Sequence, residues 1–365
     1  MAEPRPGAPH SVDAHAHSSA GAPVNAHAIA RWFTDLGIEY APPLRLQRIG
    51  LGQSNLTYRV TDAADSSWIL RRPPIGHLLA SAHDVVREAR IMRALADTEV
   101  AVPRILAVST DPEICDVPLV LMEFVDGLVV DTMEAAQALT PQRRRRIASS
   151  LPRALAAIHA VDLADVGLAD LASRKPYAQR QLKRWAGQWE QCKTRELPAL
   201  DDLTRRLTAA APEQHEVSLV HGDFHLRNLI FARDTDEIVA TLDWELSTLG
   251  DPLADMGSLL TYWPEPGEAT GGDFAASTLE GFPDRGEMAR IYLDETGRDP
   301  ATLQYWHAFG LWKLAIIGEG VRRRAMDEPQ NKASAGTPAA ELIDALVEKA
   351  WDIADSVKIY SHTGT

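Results

Sequence analysis

The chain has 365 residues, enough to bury a sizeable core and to form two lobes around a cleft. Its 45% hydrophobic and 24% charged residues are an ordinary mixture for a water-soluble protein, and 37 Lys and Arg against 51 Asp and Glu give a net charge of −14, which argues against nucleic acid or an anionic membrane as the main partner. Cys115 and Cys192 lack metal-ligand spacing, no apolar run approaches the roughly 18 residues of a membrane span, and the N-terminus carries no signal core, so a cytoplasmic setting is expected.

Residues 1–26 are rich in Ala, Pro, Ser, Gly and His without apolar periodicity and read as a disordered tail; His10, His15, His17 and His27 fit that solvated reading. Asn25 is a candidate helix cap, followed by Ile29, Trp32, Phe33 and Leu36 at helical spacing. From residue 44 the pattern alternates as a strand to Ile49. The turn Gly50-Leu51-Gly52-Gln53-Ser54-Asn55 and a second strand over 56–60 follow. A third strand at 68–71 stops at Pro73-Pro74, residues 83–96 have helical spacing, and 117–125 is a buried strand running into Asp126-Gly127.

Helical patterns dominate after Gly127. One helix is expected over 141–160, with its Arg143–Arg146 run on a solvated face, and another over 174–196, with Trp185 and Trp189 one turn apart. Short apolar strands at 218–220 and 238–242 interrupt them, and 301–358 returns to helix with a polar break around 327–338. The expected fold is α+β and two-lobed: a small antiparallel-sheet N-lobe over 27–126 that binds nucleotide, and a larger, mainly helical C-lobe over 127–358.

The densest polar cluster begins at His221-Gly222-Asp223 and reaches Asn228, between two apolar strands, and Asp243 ends a further strand fifteen residues on. Phosphoryl transfer needs a carboxylate to orient the attacking hydroxyl and receive its proton, which Asp223 supplies. It also needs hard oxygen ligands for magnesium, which Asn228 and Asp243 supply. A zinc site on His221, Asp223 and His225 is the competing reading, but no third His or Cys stands at matching spacing. His221 is expected to bond the loop backbone and His225 to face the cleft or solvent, with Asp251 bracing the loop and Asp255 capping the next helix.

These segments resemble the aminoglycoside phosphotransferase and choline kinase-like family, whose catalytic loop reads His-Gly-Asp-x-x-x-x-Asn. Here that is His221, Gly222, Asp223 and Asn228, with the metal-binding Asp at Asp243. Leu242-Asp243-Trp244-Glu245 and Gly250-Asp251-Pro252-x-x-Asp255 look like the branch that includes the kinase-like domains linked to acyl-CoA dehydrogenases. The resemblance covers about residues 30–350 and implies a protein kinase-like fold with ATP and Mg2+ as cofactors. It also makes the strand end at 123–125 the hinge, where backbone groups of Glu123 and Val125 would meet adenine.

On the nucleotide side, Gly50, Gly52, Gln53, Ser54 and Asn55 form a turn that can approach phosphates through backbone N–H groups. Kinases place a Lys on the third strand, paired with a Glu on the following helix; here Arg71 stands at the Lys position and Glu88 is its candidate partner. Two solvated arginines on an edge strand are the plainer alternative. Phosphorylation of a small-molecule hydroxyl, on an aminoglycoside-like compound or a hydroxylated metabolite or acyl derivative, is the leading expectation. A catalytically inactive nucleotide- or ligand-binding module stands beside it because the Lys is missing. Protein kinase activity is disfavoured by the lack of an Ala-Pro-Glu segment or activation loop after Asp243.

Overall fold

Asn25 opens the first helix, its side chain accepting the His27 N–H, and the apolar stripe of Ile29, Trp32 and Phe33 is buried. The structure, a computed structural model, describes residues 24–49, 55–74, 84–173, 175–269, 272–327 and 336–356. Most of the expected tail and the turn residues Gly50, Gly52, Gln53 and Ser54 lie outside the described residues.

The helices are α1 (Ala26–Asp35), α2 (Val85–Leu95), α3 (Met133–Gln137), α4 (Pro141–Ala160), α5 (Tyr177–Cys192), α6 (Pro198–Ala209), α7 (Pro252–Thr261), α8 (Arg285–Thr296), α9 (Leu303–Asp327) and α10 (Ala340–Ser356). The strands are β1 (Arg45–Ile49), β2 (Leu56–Thr61), β3 (Ser67–Arg72), β4 (Ile105–Ser109), β5 (Leu119–Glu123), β6 (Ser218–Val220), β7 (Leu229–Phe231), β8 (Ile238–Thr241) and β9 (Thr248–Gly250).

The first five strands form one antiparallel sheet in the order β1-β2-β3-β5-β4. Alternation along β5 sends Leu119 and Leu121 into the cluster that holds Ile29 and Phe33 of α1. Val120 and Met122 point the other way, into the cluster that holds Ile91, Met92 and Leu95 of α2. The same alternation on β3 buries Leu70 with α1 and turns Arg71 toward α2. Arg72, on the opposite face, is buried beside Asp116 at 3.5 Å.

Strand β4 was not expected from the sequence: Ile-Leu-Ala-Val-Ser has no clean alternation, and its ladder with β5 is irregular between Ile105 and Ala107. The helix expected over 174–196 ends at Cys192, and α6 follows separately behind Pro198. The larger lobe is built around α9, whose Trp306, Phe309 and Trp312 are buried against α5, α6, α7 and α10. Gly127, four residues after β5, must lack a side chain, because a Cβ would stand 2.6 Å from the Phe231 carbonyl oxygen.

The Arg143–Arg146 run keeps the expected solvated face at Arg145 and Arg146, which are exposed, but not at Arg144. Arg144 is buried and bonds the Ala136, Gln137 and Glu280 carbonyls, while Arg143 and Arg146 both grip the buried Asp236 at 2.6 Å. Among the described residues no helix is long and apolar enough to cross a membrane.

Candidate active site

The loop after β6 is shaped by backbone constraints before chemistry. Gly222 has φ +84°, and a Cβ there would stand 2.7 Å from the Leu246 carbonyl oxygen. Asp255 of α7 accepts both the His221 N–H, at 2.6 Å, and the Gly222 N–H, at 2.8 Å. Asp251 instead caps α7 through the Leu253 N–H at 2.9 Å, so the two acids exchange the roles the sequence suggested. The reason is positional. Pro252 sets the first helical residue, which leaves Asp251 at the cap and carries Asp255 a turn inward to face the loop.

His221 is fully buried; its Nε2 donates to the Leu242 carbonyl at 3.0 Å and its Nδ1 accepts the Asp223 N–H at 3.2 Å. Both ring nitrogens are thereby used by backbone, which removes the zinc reading and confirms a structural role. Burial pushes this imidazole down, against Asp255, Asp223 and Asp243.

The Asp223 carboxylate has His225 Nε2 at 3.5 Å and Asn228 Nδ2 at 3.3 Å. Burial acts to raise this carboxyl, yet His225, Lys313 and His221 together hold it well below the usual carboxylate range. Lys313, from α9, donates to the Gly222 carbonyl at 3.0 Å. His225 is itself buried and packs against Tyr262, ring centroids 4.7 Å apart.

Asn228 Nδ2 also donates to the Asp223 carbonyl at 2.9 Å, which leaves its amide oxygen as the outward end. Pairing of β7 with β8 continues as a bond from Leu242 N–H to the Asn228 carbonyl, 2.8 Å, and so brings Asp243 beside Asn228. Asp243 holds a left-handed backbone conformation, φ 65° and ψ 59°, at a cost of about 1–3 kcal/mol. Its Oδ1 accepts from Arg71 Nη2 at 2.6 Å.

Arg71 also donates through Nε to Glu88 at 2.8 Å, and Glu88 is 2% exposed. One guanidinium therefore ties β3, α2 and Asp243 together. Burial acts to lower the Arg71 pKa, but Glu88, Asp243 and Glu245 overcome it and the charge is secure. A solvated edge arginine does not describe this side chain. Asn55, expected as a phosphate donor, gives its Nδ2 to Glu245 at 3.1 Å and so ties the start of β2 to the segment after Asp243. At the strand end, Glu123 N–H is bonded to the Arg104 carbonyl at 3.0 Å, so a ligand edge would meet the Glu123 carbonyl rather than its amide.

The structure thus brings Asp223, Asn228 and Asp243 together, with Arg71, Glu88 and Asn55 joining the lobes next to them. Sequence reasoning missed Lys313 as a neighbour of Asp223. The signal was a lone cation in the apolar run Trp306–Ile317 of a buried helix. Among the described residues no group of three or more His, Cys, Asp or Glu is arranged to hold a metal. A site made of one Asp, one Asn and outside oxygens fits a hard cation instead.

The profile described as Phosphotransferase enzyme family matches residues 45–291, from β1 through the 221–228 loop and Asp243 into α8. The chain belongs to the phosphotransferase enzyme family. Acyl-CoA dehydrogenase family member 10 of Mus musculus is 36% identical over 323 residues, covering 87% of this chain and 30% of the relative, so the chain spans under a third of that protein's length. A crystal structure from Ralstonia eutropha, assigned to the aminoglycoside phosphotransferases, is 30% identical with a TM-score of 0.72 over 91% of this chain and 98% of its own. An aminoglycoside phosphotransferase captured in a ternary complex with streptomycin and ATP shares the fold at 16% identity, with a TM-score of 0.54 over 83% of this chain and 93% of its own. In this family the antiparallel sheet and the helical lobe form the two-lobed, kinase-like α+β architecture expected from the sequence.

Proposed function

We propose that this chain is an ATP- and Mg2+-dependent phosphotransferase that phosphorylates the hydroxyl of a small molecule. The observation that carries the reading is the convergence of Asp223, Asn228 and Asp243, with Asp223 kept ionised by its neighbours. Asp223 orients the acceptor hydroxyl and takes its proton as the new bond forms; a carboxylate held this low acts by position more than by strength as a base. Asn228 Oδ1 and Asp243 Oδ2 are the hard oxygens that would hold Mg2+. When bound, Mg2+-ATP supplies the transferable phosphoryl group and the charge neutralisation that transfer requires.

Arg71, anchored by Glu88, is the cation for the nucleotide phosphates, with backbone donors from the 50–55 turn and the Glu123 carbonyl and Val125 N–H on the adenine edge. The neighbour bound to streptomycin and ATP supports both ligand classes for the shared architecture. The free cysteines Cys115 and Cys192 agree with a cytoplasmic setting.

One observation favours a second reading. Arg71 replaces the usual Lys and is engaged by both Glu88 and Asp243, as it would be in a nucleotide-binding module without turnover. ADP release across a panel of hydroxyl compounds, with and without Mg2+, for the wild type and Asp223→Asn, separates the two. Mg2+-dependent release abolished in Asp223→Asn supports the phosphotransferase; nucleotide binding with no release from either protein supports the module.

A further inference from the structure

Beside the catalytic loop lies a cavity of about 620 Å3, a volume suited to a small organic molecule. Its walls come from the first turn of α2, from α5, from Gly222, from residues 245–248 and from α9. Among the described residues, none of the five-stranded sheet lines it.

Four cations line it: Arg87, Arg180, Arg184 and Lys313. In a chain of net charge −14 this is a local reversal of sign. Among the described residues, none of the four makes an ion pair with a carboxylate within 4 Å. Arg87 bonds the Ser247 carbonyl at 2.6 Å, Arg180 the Leu249 carbonyl at 2.6 Å, and Lys313 the Gly222 carbonyl at 3.0 Å. These bonds position the side chains through neutral carbonyls, and Arg180 and Arg184 in particular stand without a carboxylate partner among the described residues. The Trp185 ring carries both Arg184 and Lys313, at 5.4 and 5.2 Å from its centroid. The two acids of the lining are engaged elsewhere: Asp84 accepts the Val86 and Arg87 N–H groups as the cap of α2, and Glu245 accepts from Asn55.

We propose that this cavity seats the acceptor and that the acceptor is an anion, a hydroxylated small molecule whose carboxylate or phosphate ester rests on Arg180, Arg184 and Lys313. The inference rests on the phosphotransferase reading for its chemistry and on the cavity alone for its charge. Lys313 links the two, because it touches Gly222 and lies close enough to act electrostatically on Asp223. The guanidiniums of Arg180 and Arg184, one turn apart on α5, present planar donors that match a carboxylate or a phosphate. A polycationic aminoglycoside would meet four like charges there and is rejected.

The test is 19F NMR on the full chain labelled with 5-fluorotryptophan, with the Trp185 signal assigned through Trp185→Phe. Glycerol 3-phosphate, 3-hydroxyoctanoate and kanamycin are titrated at low and at high salt. A saturable shift of the Trp185 signal with either anion, weakened by salt and by about tenfold in Arg184→Gln, is the expected result. The responding arm tells phosphate ester from carboxylate. A saturable kanamycin response, silence with both anions, or an anion response unchanged in Arg184→Gln overturns the proposal. ADP release measured in parallel keeps the two readings apart. Anion binding without release retains the anion seat and sinks the phosphotransferase, whereas release with kanamycin and silent anions does the reverse.

Discussion

Against burial, Asp223 owes its ionised state to three surrounding groups: His225 at its carboxylate, Lys313 at the neighbouring carbonyl, and His221 beneath the loop. Replacing it with Asn keeps the shape and removes the proton acceptor. Turnover in Asp223→Asn is expected to fall about 10²–10⁴-fold with nucleotide affinity nearly unchanged, read by ADP release alongside calorimetric titration. Arg71 is a second decisive residue because its planar fork reaches Glu88 and Asp243 together. A lysine is a single point of charge and cannot make both bonds with that geometry. The KM for ATP is expected to rise roughly tenfold in Arg71→Ala and by less in Arg71→Lys. An unchanged KM in both variants would remove Arg71 from the nucleotide site.

At the scale of elements, α7 holds the catalytic loop through one side chain. Asp255 accepts two backbone N–H groups and is backed by His159, itself bonded to Tyr292 at 2.7 Å. In Asp255→Asn at least one buried donor faces another donor or loses its partner. A loss of about 1–3 kcal/mol is expected, with turnover falling in parallel. Thermal melts and ADP release check this, and an unaltered melt with full activity would place the loop's support elsewhere.

Much of this was legible in the sequence: the cap at Asn25, the alternation of β3 and the spacing from Asp223 to Asn228 each rest on local rules. Strand β4 escaped because its pleat is broken by an irregular pairing, and α6 because it begins at Pro198 without a side-chain cap to announce it. The grip of Arg143 and Arg146 on a buried acid was not legible because Asp236 lies some 90 residues away. Loop-to-helix partnerships such as Asp255 with His221 depend on tertiary placement, which periodicity does not encode.

At the scale of the molecule, buried imidazoles make stability depend on pH on the acid side. Burial foremost, then the charges of Arg285 and Lys349, pushes His307 from its ordinary 6.5 down to about 3, with Glu268 opposing. His221 shifts the same way. Both are neutral when folded and take up protons on unfolding, so their contribution is complete above about pH 6.5 and is lost as pH falls toward the folded values. Glu268, held to about 2 by Arg285 and Lys349 against burial, adds a contribution that is complete above its ordinary 4.5 and fades below it. The melting temperature is expected to fall steadily from pH 7 to pH 4, and His307→Gln should flatten that slope. A profile flat across this range would contradict the burial of these groups.

The gathering of an aspartate and an asparagine from separate strands into one divalent-cation seat is tested most directly by titrating ATP into the protein with and without Mg2+. The account predicts that Mg2+ tightens ATP binding to the wild type and to Asp223→Asn but not to Asp243→Ala. Equal tightening in Asp243→Ala, or none in the wild type, would contradict it.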